Sequence, residues 1–236
     1  MLLGKRIAVI IPCFQEGKKI LNVLSRLSNV PGIDTIRVIH DGSQDSTAQY
    51  AVTSIYHSKR CGVGAAIRTG LDSISKDYDI AIIMAGNDKD DPEEIPKLIE
   101  ALVNQEAMLV IGSRYMKGGR AGGEMPLYRK LATRLHPFLF SLFLGVKLTE
   151  STNGFRAIDT KLLNDPKIHL NQTWLDGYAL EPYLLYQSIR LGYRWAEVPV
   201  TKIYPSKILG YTKMTPLLSW WEILKPLFLL QLRLRR

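Results

Sequence analysis

The first half of the chain alternates short apolar runs with segments whose apolar residues recur at helical spacing. The apolar, β-branched runs are residues 6–12 (RIAVIIP), 35–41 (TIRVIHD), 79–85 (DIAIIMA) and 107–113 (AMLVIGS). The helical segments are residues 17–30, 45–52, 62–74 and 91–103. Short apolar runs bounded by turn residues are typical of buried strands, and spacings of three and four residues are typical of amphipathic helices. This alternation predicts an α/β fold with a mainly parallel sheet and helices on both faces.

The second half of the chain has a less regular pattern. Residues 114–126 (RYMKGGRAGGEMP) contain four glycines, and we expect a mobile loop there rather than a regular element. Apolar residues at helical spacing predict helices in residues 127–146 and 177–193. Residues 151–159 (STNGFRAID) lead into a strand, and residues 194–201 (RWAEVPVT) form a late strand.

Composition and charge narrow the class of protein. With 46% hydrophobic and 22% charged residues, the chain has the composition of a globular protein. Its two cysteines, Cys13 and Cys61, are too few for a disulfide framework. We therefore expect the protein to reside in the reducing cytoplasm. Residues 1–113 carry 12 Lys/Arg and 14 Asp/Glu, a net charge of −2. Residues 114–236 carry 19 Lys/Arg and 8 Asp/Glu, a net charge of +11. Because no nucleic-acid-reading motif accompanies this charge, we expect phosphate groups or an acidic membrane as the partner rather than nucleic acid. The alternative is a solvated basic surface without an anionic partner.

Residues 213–236 are predicted to form an amphipathic, basic helical tail. Glu222 and Lys225 interrupt its apolar residues, so no uncharged stretch is long enough for a transmembrane helix. The pair Trp220-Trp221, the many leucines and the basic end fit an interfacial segment on anionic lipid. The alternative is a helix that packs on the core or on a partner subunit, which leaves a homo-oligomer open. The N-terminus lacks the pattern of a signal peptide, and we expect a cytoplasmic protein bound peripherally to the inner face of the membrane.

Six segments, in a fixed order along the chain, resemble the family 2 glycosyltransferases. They are residues 9–20 (VIIPCFQEGKKI), 38–47 (VIHDGSQDST), 62–71 (GVGAAIRTGL), 111–119 (IGSRYMKGG), 151–159 (STNGFRAID) and 177–201 (GYALEPYLLYQSIRLGYRWAEVPVT). The later segments are most similar to the branch of dolichyl-phosphate mannose and glucose synthases. The resemblance implies a single GT-A-type nucleotide-diphospho-sugar transferase domain over residues 1–212. Residues 1–113 would form its nucleotide-sugar-binding half and residues 114–212 its acceptor half.

The resemblance implies an inverting transfer of a hexose from a UDP- or GDP-sugar to a polyprenyl (dolichyl) phosphate at the cytoplasmic membrane face. The acceptor phosphate is already an anion, so the enzyme needs to bind and aim it rather than deprotonate it. Two alternatives stay open. A sugar or lipid hydroxyl acceptor would need a carboxylate base, for which Asp176 and Glu181 are the candidates. In the other alternative, the chain is a catalytically inactive, membrane-associated relative.

The resemblance places the nucleotide donor at the ends of the first strands. The residues assigned to the donor are Pro12, Phe14, Glu16, Asp41, Gly64, Arg68, Asn87 and Lys213. An aromatic face and carboxylates suit a base and a ribose, although Asp41 equally suits a residue that stabilises its own turn. Gly64 lies at the start of a helix whose free N–H groups would face the donor. The alternative is that the glycine only allows this helix to pack closely on its neighbours. Lys213, with Lys202 and Lys207, follows the last strand in a loop that relatives close over the donor diphosphate.

The loop after the fourth strand departs from the family's pattern. Relatives carry an Asp-x-Asp there, whose carboxylates hold a divalent metal ion on the donor diphosphate. This chain has Ala85-Gly86-Asn87 instead. Both negative charges are therefore missing, which puts a requirement for Mg or Mn in doubt.

Three interpretations of the residues that follow compete. Asp88 and Asp90 form a second Asp-x-Asp, shifted along the loop, and their hard oxygen ligands suit Mg or Mn. Alternatively, Lys89 replaces the metal as a fixed countercharge on the leaving diphosphate. In the third interpretation, Asp90 or Asp91 caps the helix that follows. The sequence slightly favours a weakened metal site at Asp88 and Asp90 and leaves the choice open.

The acceptor phosphate is assigned to basic residues of the second half. Arg114, Arg129 and Thr133 match the acceptor-phosphate positions of the synthase branch. Arginine binds phosphate in bidentate geometry, which fixes orientation as well as charge. Arg156 either assists or has a structural role. With Asp88, Lys89 and Asp90, the residues Arg114 and Arg129 form the predicted catalytic set.

Overall fold

The structure is a computed structural model that describes residues 1–45, 54–74, 77–205, 218–232 and 234–235. Within these residues the strands are β1 (Ile7–Cys13), β2 (Thr35–Asp41), β3 (Ser54–His57), β4 (Ile80–Ile83), β5 (Leu109–Ser113), β6 (Arg120–Gly123), β7 (Arg156–Asp159), β8 (Trp195–Pro199) and β9 (Thr201–Tyr204). The α-helices are α1 (Lys19–Leu27), α2 (Val63–Asp72), α3 (Ile95–Asn104), α4 (Leu127–Leu144), α5 (Leu180–Arg190) and α6 (Leu218–Gln231). Short 3-10 helices cover Pro92–Glu94, Thr160–Asn164 and Thr173–Leu175.

Seven strands form the central sheet, in the order β3-β2-β1-β4-β7-β5-β8. All of them run parallel except β7, which is antiparallel to both of its neighbours, β4 and β5. β4 is buried along its whole length, and so is nearly all of β1. Continuous burial is expected of parallel strands whose two faces are both covered by helices. The predicted mainly parallel sheet with flanking helices is confirmed.

Two hydrophobic layers cover the two faces of this sheet. Alternate residues of a strand point into opposite layers. In β1, Ile10 faces the layer that contains α2, α5 and α6, and Ile11 faces the layer that contains α1 and α3. Because β1, β2 and β4 are parallel neighbours, their carboxyl ends lie side by side at one end of the sheet.

A second, two-stranded sheet contains residues that the sequence pattern places in a loop. β6 pairs in parallel with β9, from Arg120 opposite Thr201 to Gly123 opposite Tyr204. The expectation of a loop without regular structure over residues 114–126 is therefore wrong for its middle part. The glycines permit this close pairing: Gly123 has a φ of +76°, and a Cβ atom on it would lie 1.9 Å from the carbonyl oxygen of Tyr204.

Two further differences from the predicted elements are small. The late strand expected over residues 194–201 is two strands, β8 and β9, separated by Val200. The four-residue strand β3 gives no clear periodic signal and was not predicted. The helix expected over residues 45–52 falls almost entirely outside the described residues.

α6 is the described helix of the predicted tail. Its Leu227 and Leu230 are buried in the core, whereas Trp221 is exposed, as are Leu232 and Leu234 just beyond the helix. One face of α6 therefore packs on the protein, as in the alternative above, and an apolar surface stays exposed beside it. Among the residues that the structure describes, no helix combines the length and the apolar character needed to cross a membrane.

A buried histidine connects α6 to α4 and to the loop before β7. Nε2 of His136 lies 3.0 Å from the carbonyl oxygen of Ile223, and because a carbonyl only accepts, Nε2 carries the proton. Nδ1 then accepts from the hydroxyl of Ser151 at 2.7 Å. Burial lowers the pKa of His136 to about 4, since the charged ring would lose its hydration, although the carbonyl of Ile223 opposes this effect.

We expect His136 to make the protein less stable at acidic pH. Its pKa is lower in the folded protein than in the unfolded chain, so the free energy of unfolding falls as the pH drops from about 6.5 to about 4. The full loss from this group is about 3 kcal/mol. Urea denaturation between pH 7.5 and 4.5 measures the slope, which His136→Gln should flatten. His169→Gln, a change at an exposed histidine, should leave the slope unchanged. Equal slopes in the wild type and His136→Gln would contradict this account.

Candidate active site

The carboxyl ends of β1, β2 and β4 open into a cavity of about 760 Å³. In open α/β sheets, ligands bind at this end of the strands. Most of the predicted site residues line the cavity, namely Pro12, Phe14, Glu16, Asp41, Asn87, Lys89, Asp90, Arg114, Arg129, Thr133, Arg156, Asp176 and Glu181. Gly64, Arg68 and Asp88 are not among its lining residues. Lys207 and Lys213 lie outside the described residues.

Phe14 and Asp41 lie at the end of the cavity nearest β1 and β2. The guanidinium carbon of Arg60 lies 4.4 Å from the centre of the Phe14 ring, so a cation and an aromatic face are stacked at the position predicted for the base. Asp41 accepts from the backbone N–H groups of Cys61 (2.7 Å) and Gly62 (2.8 Å). Nδ1 of His57 lies 2.9 Å from the same carboxylate. Asp41 therefore organises the turn before α2, and its contact with a base remains a prediction.

The start of α2 is closed by the chain around residues 175–177. The N–H of Gly64 donates to the carbonyl of Gly177 at 3.0 Å, and a Cβ atom on Gly64 would lie 1.9 Å from the carbonyl oxygen of Leu175. Of the two roles predicted for Gly64, the structure shows close packing. Arg68 donates to Oδ1 of Asp176 at 2.5 Å. Arg68 thus positions Asp176 at the cavity and does not itself line it.

The structure separates the carboxylates of residues 88–91. Asp88 has a φ of +57°, which turns its side chain towards α1, where it accepts from Nδ2 of Asn22 at 2.6 Å. Asp91 accepts from the N–H of Glu93 at 3.0 Å and pairs with Arg26. The helix-capping interpretation is therefore confirmed for Asp91.

Asp90 points towards the second half of the chain. Its two carboxylate oxygens accept from Nζ of Lys202 at 2.6 and 2.7 Å, and both side chains are buried. The same ammonium donates to Oδ1 of Asn153 at 2.8 Å. The sequence predicts Lys202 in a loop, but it lies in β9 as half of a buried ion pair. Asp88 and Asp90 are not brought together in one site.

Lys89 is buried in the cavity wall beside other cations. Its Nζ lies 5.2 Å from the centre of the Tyr204 ring, and Cζ of Arg129 lies 5.4 Å from the same centre. Burial, together with the positive charges of Arg129 and Lys202, lowers the pKa of Lys89 to about 7, against the opposing attraction of Glu16 and Asp90. Lys89 therefore lies close enough to two further cations, Arg129 and Lys202, for their charges to act on it.

Arg114 belongs to a buried network that sequence reasoning missed. It donates to Oε2 of Glu150 at 2.6 Å, to the hydroxyl of Tyr204 at 2.6 Å and to Oγ1 of Thr152 at 2.8 Å. Burial would raise the pKa of Glu150, but Arg114 and the donors of Thr152 outweigh it, and the pKa is lowered. Arg114 therefore fixes the position of Tyr204, whose ring contacts Lys89 and Arg129.

The other residues assigned to the acceptor phosphate differ in exposure. Arg156 is buried and donates to the carbonyls of Ser151, Asn153 and Glu181 at 2.8–2.9 Å, which is the structural role. Thr133 is buried and bonded to the hydroxyl of Tyr115 and the carbonyl of Arg129. Of the four assigned residues, Arg129 alone is partly exposed.

Several neighbours of the site residues were not predicted, because the sequence marks them weakly or not at all. Glu150 and Tyr204 are a single carboxylate and a single aromatic in polar segments, so nothing local marks them as partners of Arg114. Arg60 precedes the glycine-led helix α2, where a basic residue near the donor could have been noticed. Lys202 and Tyr204 alternate along β9 and therefore face the same side.

The chain is similar to proteins of one sequence family. The model of "Glycosyl transferase family 2" matches residues 8–165. The undecaprenyl-phosphate mannosyltransferase of Micrococcus luteus is 30% identical over 220 residues, which are 89% of this chain and 88% of that protein. The polyprenol monophosphomannose synthase of Mycolicibacterium smegmatis is 29% identical over 222 residues, 89% of this chain and 82% of that protein. The UDP-N-acetylglucosamine–dolichyl-phosphate N-acetylglucosaminyltransferase of Methanococcus voltae is 29% identical over 222 residues, covering 85% and 86%.

Solved structures share the fold. Glucosyl-3-phosphoglycerate synthase of Mycobacterium tuberculosis in complex with UDP superposes with a TM-score of 0.67 at 21% identity, covering 97% of this chain and 80% of that one. The same enzyme with Mg²⁺ and UDP gives a TM-score of 0.66 at 21% identity, covering 97% and 79%. This likeness identifies a GT-A-like α/β fold, as the sequence resemblance implied.

We expect Glu150→Gln to destabilise the protein strongly. The change keeps the shape of the side chain but leaves the buried guanidinium of Arg114 without its counter-ion, at a cost of about 3–5 kcal/mol in the free energy of unfolding. Glu106→Gln is the matched control, because Glu106 pairs with Arg194 at 2.5 Å while the two side chains are 76% and 68% exposed. Its cost should stay below about 1 kcal/mol. If urea denaturation showed a similar, small decrease in the free energy of unfolding for both variants, the buried ion pair would not be important for the stability of the site.

Proposed function

Because the chain belongs to glycosyl transferase family 2 and is a glycosyltransferase, we propose that it transfers a hexose from a UDP- or GDP-sugar to a polyprenyl phosphate. The transfer inverts the configuration at the anomeric carbon of the sugar and takes place at the cytoplasmic face of a membrane. The names of the relatives support the acceptor class, since undecaprenyl phosphate, a polyprenol phosphate and dolichyl phosphate are all lipid phosphates. The similarity extends over more than four fifths of this chain and of each of those proteins.

One observation carries the proposal: helix α4 has a cavity-lining face and an exposed apolar face. Arg129, Thr133 and His136 line the cavity. The exposed apolar stripe consists of Leu127, Leu131, Leu135, Phe138 and Leu142. At 100° per residue these five positions fall on one side of the helix. Monomeric soluble proteins rarely expose a continuous apolar face of this kind, and such a face marks an interaction site.

The occupant we assign to this stripe is a bilayer that contains anionic lipid. The exposed basic residues Lys130 and Arg134 flank the stripe on the same helix and would lie at the level of the lipid headgroups. The apolar surface continues onto α6, because Phe228 packs against both Phe143 and the exposed Trp221. Leu135 belongs to the stripe and also lines the cavity, so a lipid phosphate at this surface would lie beside the cavity. The predicted membrane contact thus involves α4 as well as the tail.

In the proposed reaction, an oxygen of the lipid phosphate attacks the sugar carbon on the side opposite the nucleoside diphosphate. The partly exposed guanidinium of Arg129 binds the incoming phosphate at the cavity wall. Arg114 and Arg156 act as positioning residues, since one fixes Tyr204 and the other fixes the loop of residues 151–154. The nucleotide base lies at the end of the cavity formed by Phe14.

A hydroxyl acceptor is the second candidate, and Glu181 favours it. Glu181 lines the cavity, and burial raises its pKa against the opposing effect of Arg156 and Lys202. A carboxylate with a raised pKa is a stronger base and is better suited to remove a proton from a hydroxyl. Asp176, the other candidate base, is bonded to Arg68. A phosphate acceptor needs no base, so the effect of Glu181→Gln separates the two reactions.

We expect labelled sugar to enter the organic phase when the protein is mixed with a short polyprenyl phosphate and one of a panel of labelled UDP- and GDP-sugars. Glu181→Gln should retain most of this transfer, because the acceptor is already ionised. The opposite result has two parts: no donor labels the lipid, and sugar is transferred to a sugar hydroxyl in a reaction that Glu181→Gln abolishes. That result would replace the proposed acceptor by the second candidate.

The double variant Leu131→Gln/Phe138→Gln tests the α4 stripe. These side chains are 70% and 62% exposed, so the substitutions should leave the fold intact. We expect binding to vesicles of anionic phospholipid, measured by flotation, to weaken by roughly tenfold or more, because two apolar side chains no longer enter the bilayer. Transfer to a water-soluble, short-chain polyprenyl phosphate should be unchanged.

The control for this variant is Leu21→Gln, which changes an exposed leucine on α1, away from the stripe. It should bind vesicles like the wild type. If the α4 variant also bound vesicles like the wild type, α4 would not be the membrane-facing helix.

A further inference from the structure

The residues that follow β4 do not fit a divalent metal ion. The solved neighbours include a complex with Mg²⁺ and UDP, so the fold accommodates a metal in that enzyme. Here Asp88 faces Asn22 on α1, and both oxygens of Asp90 accept from Lys202. Asn87 uses its Oδ1 to accept from the backbone N–H of Lys89. Within the described part of the chain, no cluster of three metal-ligating side chains includes Asp88 or Asp90.

The same turn that removes the carboxylates brings a cation into the cavity. The left-handed conformation of Asp88 directs its side chain to α1, and the next residue, Lys89, enters the cavity wall. The carbonyl of Lys89 accepts from the N–H of Ile203 in β9 at 2.8 Å, which fixes the backbone at this point. The charge of Lys89 is thus placed by two elements, the loop after β4 and the edge of β9.

The electrostatic surroundings of Lys89 are those of an anion site. The charges that act on it are positive Arg129 and Lys202, and negative Glu16 and Asp90. Asp90 is already compensated by Lys202 at 2.6 Å. Lys89 and Arg129 both lie beside the ring of Tyr204, and Glu16 is the nearby carboxylate. A divalent cation placed here would be repelled, whereas a diphosphate would be attracted.

We infer that Lys89 binds the diphosphate of the donor in the place of a divalent metal ion. This inference rests on the proposed function, in which the donor is a nucleoside diphosphate sugar. During transfer the bond from the sugar carbon to the diphosphate oxygen breaks, and its electron pair stays on that oxygen. The acceptor phosphate oxygen supplies the electron pair of the new bond. The ammonium group of Lys89 stabilises the negative charge that develops on the leaving diphosphate, and neither the sugar nor the acceptor phosphate has to gain or lose a proton.

Binding of UDP and GDP to the whole protein, measured by calorimetry with EDTA and with Mg²⁺, tests this inference. We expect the nucleotide that binds to do so with the same affinity in both conditions. Binding that appears only with Mg²⁺, or no binding of either nucleotide, would overturn it. If binding is metal-independent but no sugar reaches polyprenyl phosphate, the proposed acceptor is wrong and the inference stands.

Substitutions identify the cation. Lys89→Met should weaken binding of the nucleoside diphosphate by roughly tenfold or more, because a charged hydrogen bond is lost. The effect on the corresponding monophosphate should be smaller, which a general distortion of the cavity would not produce. Lys89→Arg should retain most of the affinity. Lys161→Met removes an exposed lysine outside the cavity and is the matched control. Equal diphosphate affinity in Lys89→Met and Lys161→Met would overturn the inference.

Discussion

The ion pair between Asp90 and Lys202 holds the two halves of the chain around the cavity. The partners are 112 positions apart in sequence, and both are buried. A buried ion pair is tolerated only when its remaining hydrogen-bonding groups are satisfied, and Asn153 meets this need for the ammonium. The pair also sets the register between the loop after β4 and β9, where the backbones of Asp90 and Lys202 form a bridge. Lys89 and Tyr204 are neighbours because of this bridge.

The cavity is built from side chains that mostly serve one another. Arg114, Arg156 and Asp41 were all assigned to ligands, yet each has its polar atoms engaged with protein groups. Such engagement fixes the cavity before a ligand arrives, which lowers the cost of ordering when a ligand binds. The residues that we propose to meet the donor and the acceptor are Phe14, Lys89 and Arg129, which line the same cavity.

Local periodicity was enough to predict much of the fold. β1, β2, β4 and β5 are apolar runs bounded by turn residues, and α1 and α3 have clear apolar stripes, so each element follows from a few adjacent residues. β6 could not be found in this way, because its glycines carry no hydrophobic signal and pair only through their close approach to β9.

The site was predicted less well, for a physical reason. Most of the residues assigned to the site line one cavity, because the ends of parallel strands meet at one edge of the sheet. Which way a side chain points depends on single backbone angles and distant partners. The positive φ of Asp88 decides that its carboxylate meets α1, and Arg114 finds its partners 36 and 90 positions away. Neither fact has a local signature in the sequence.

The central claim is that a fixed lysine occupies the place of the metal in this glycosyltransferase. The most direct measurement is a crystal structure with UDP or GDP grown in the presence of Mn²⁺, with anomalous diffraction data to locate manganese. The account predicts Nζ of Lys89 within hydrogen-bond distance of a diphosphate oxygen and no manganese peak beside the diphosphate. A manganese ion that joins the diphosphate to Asp88 or Asp90 would contradict it.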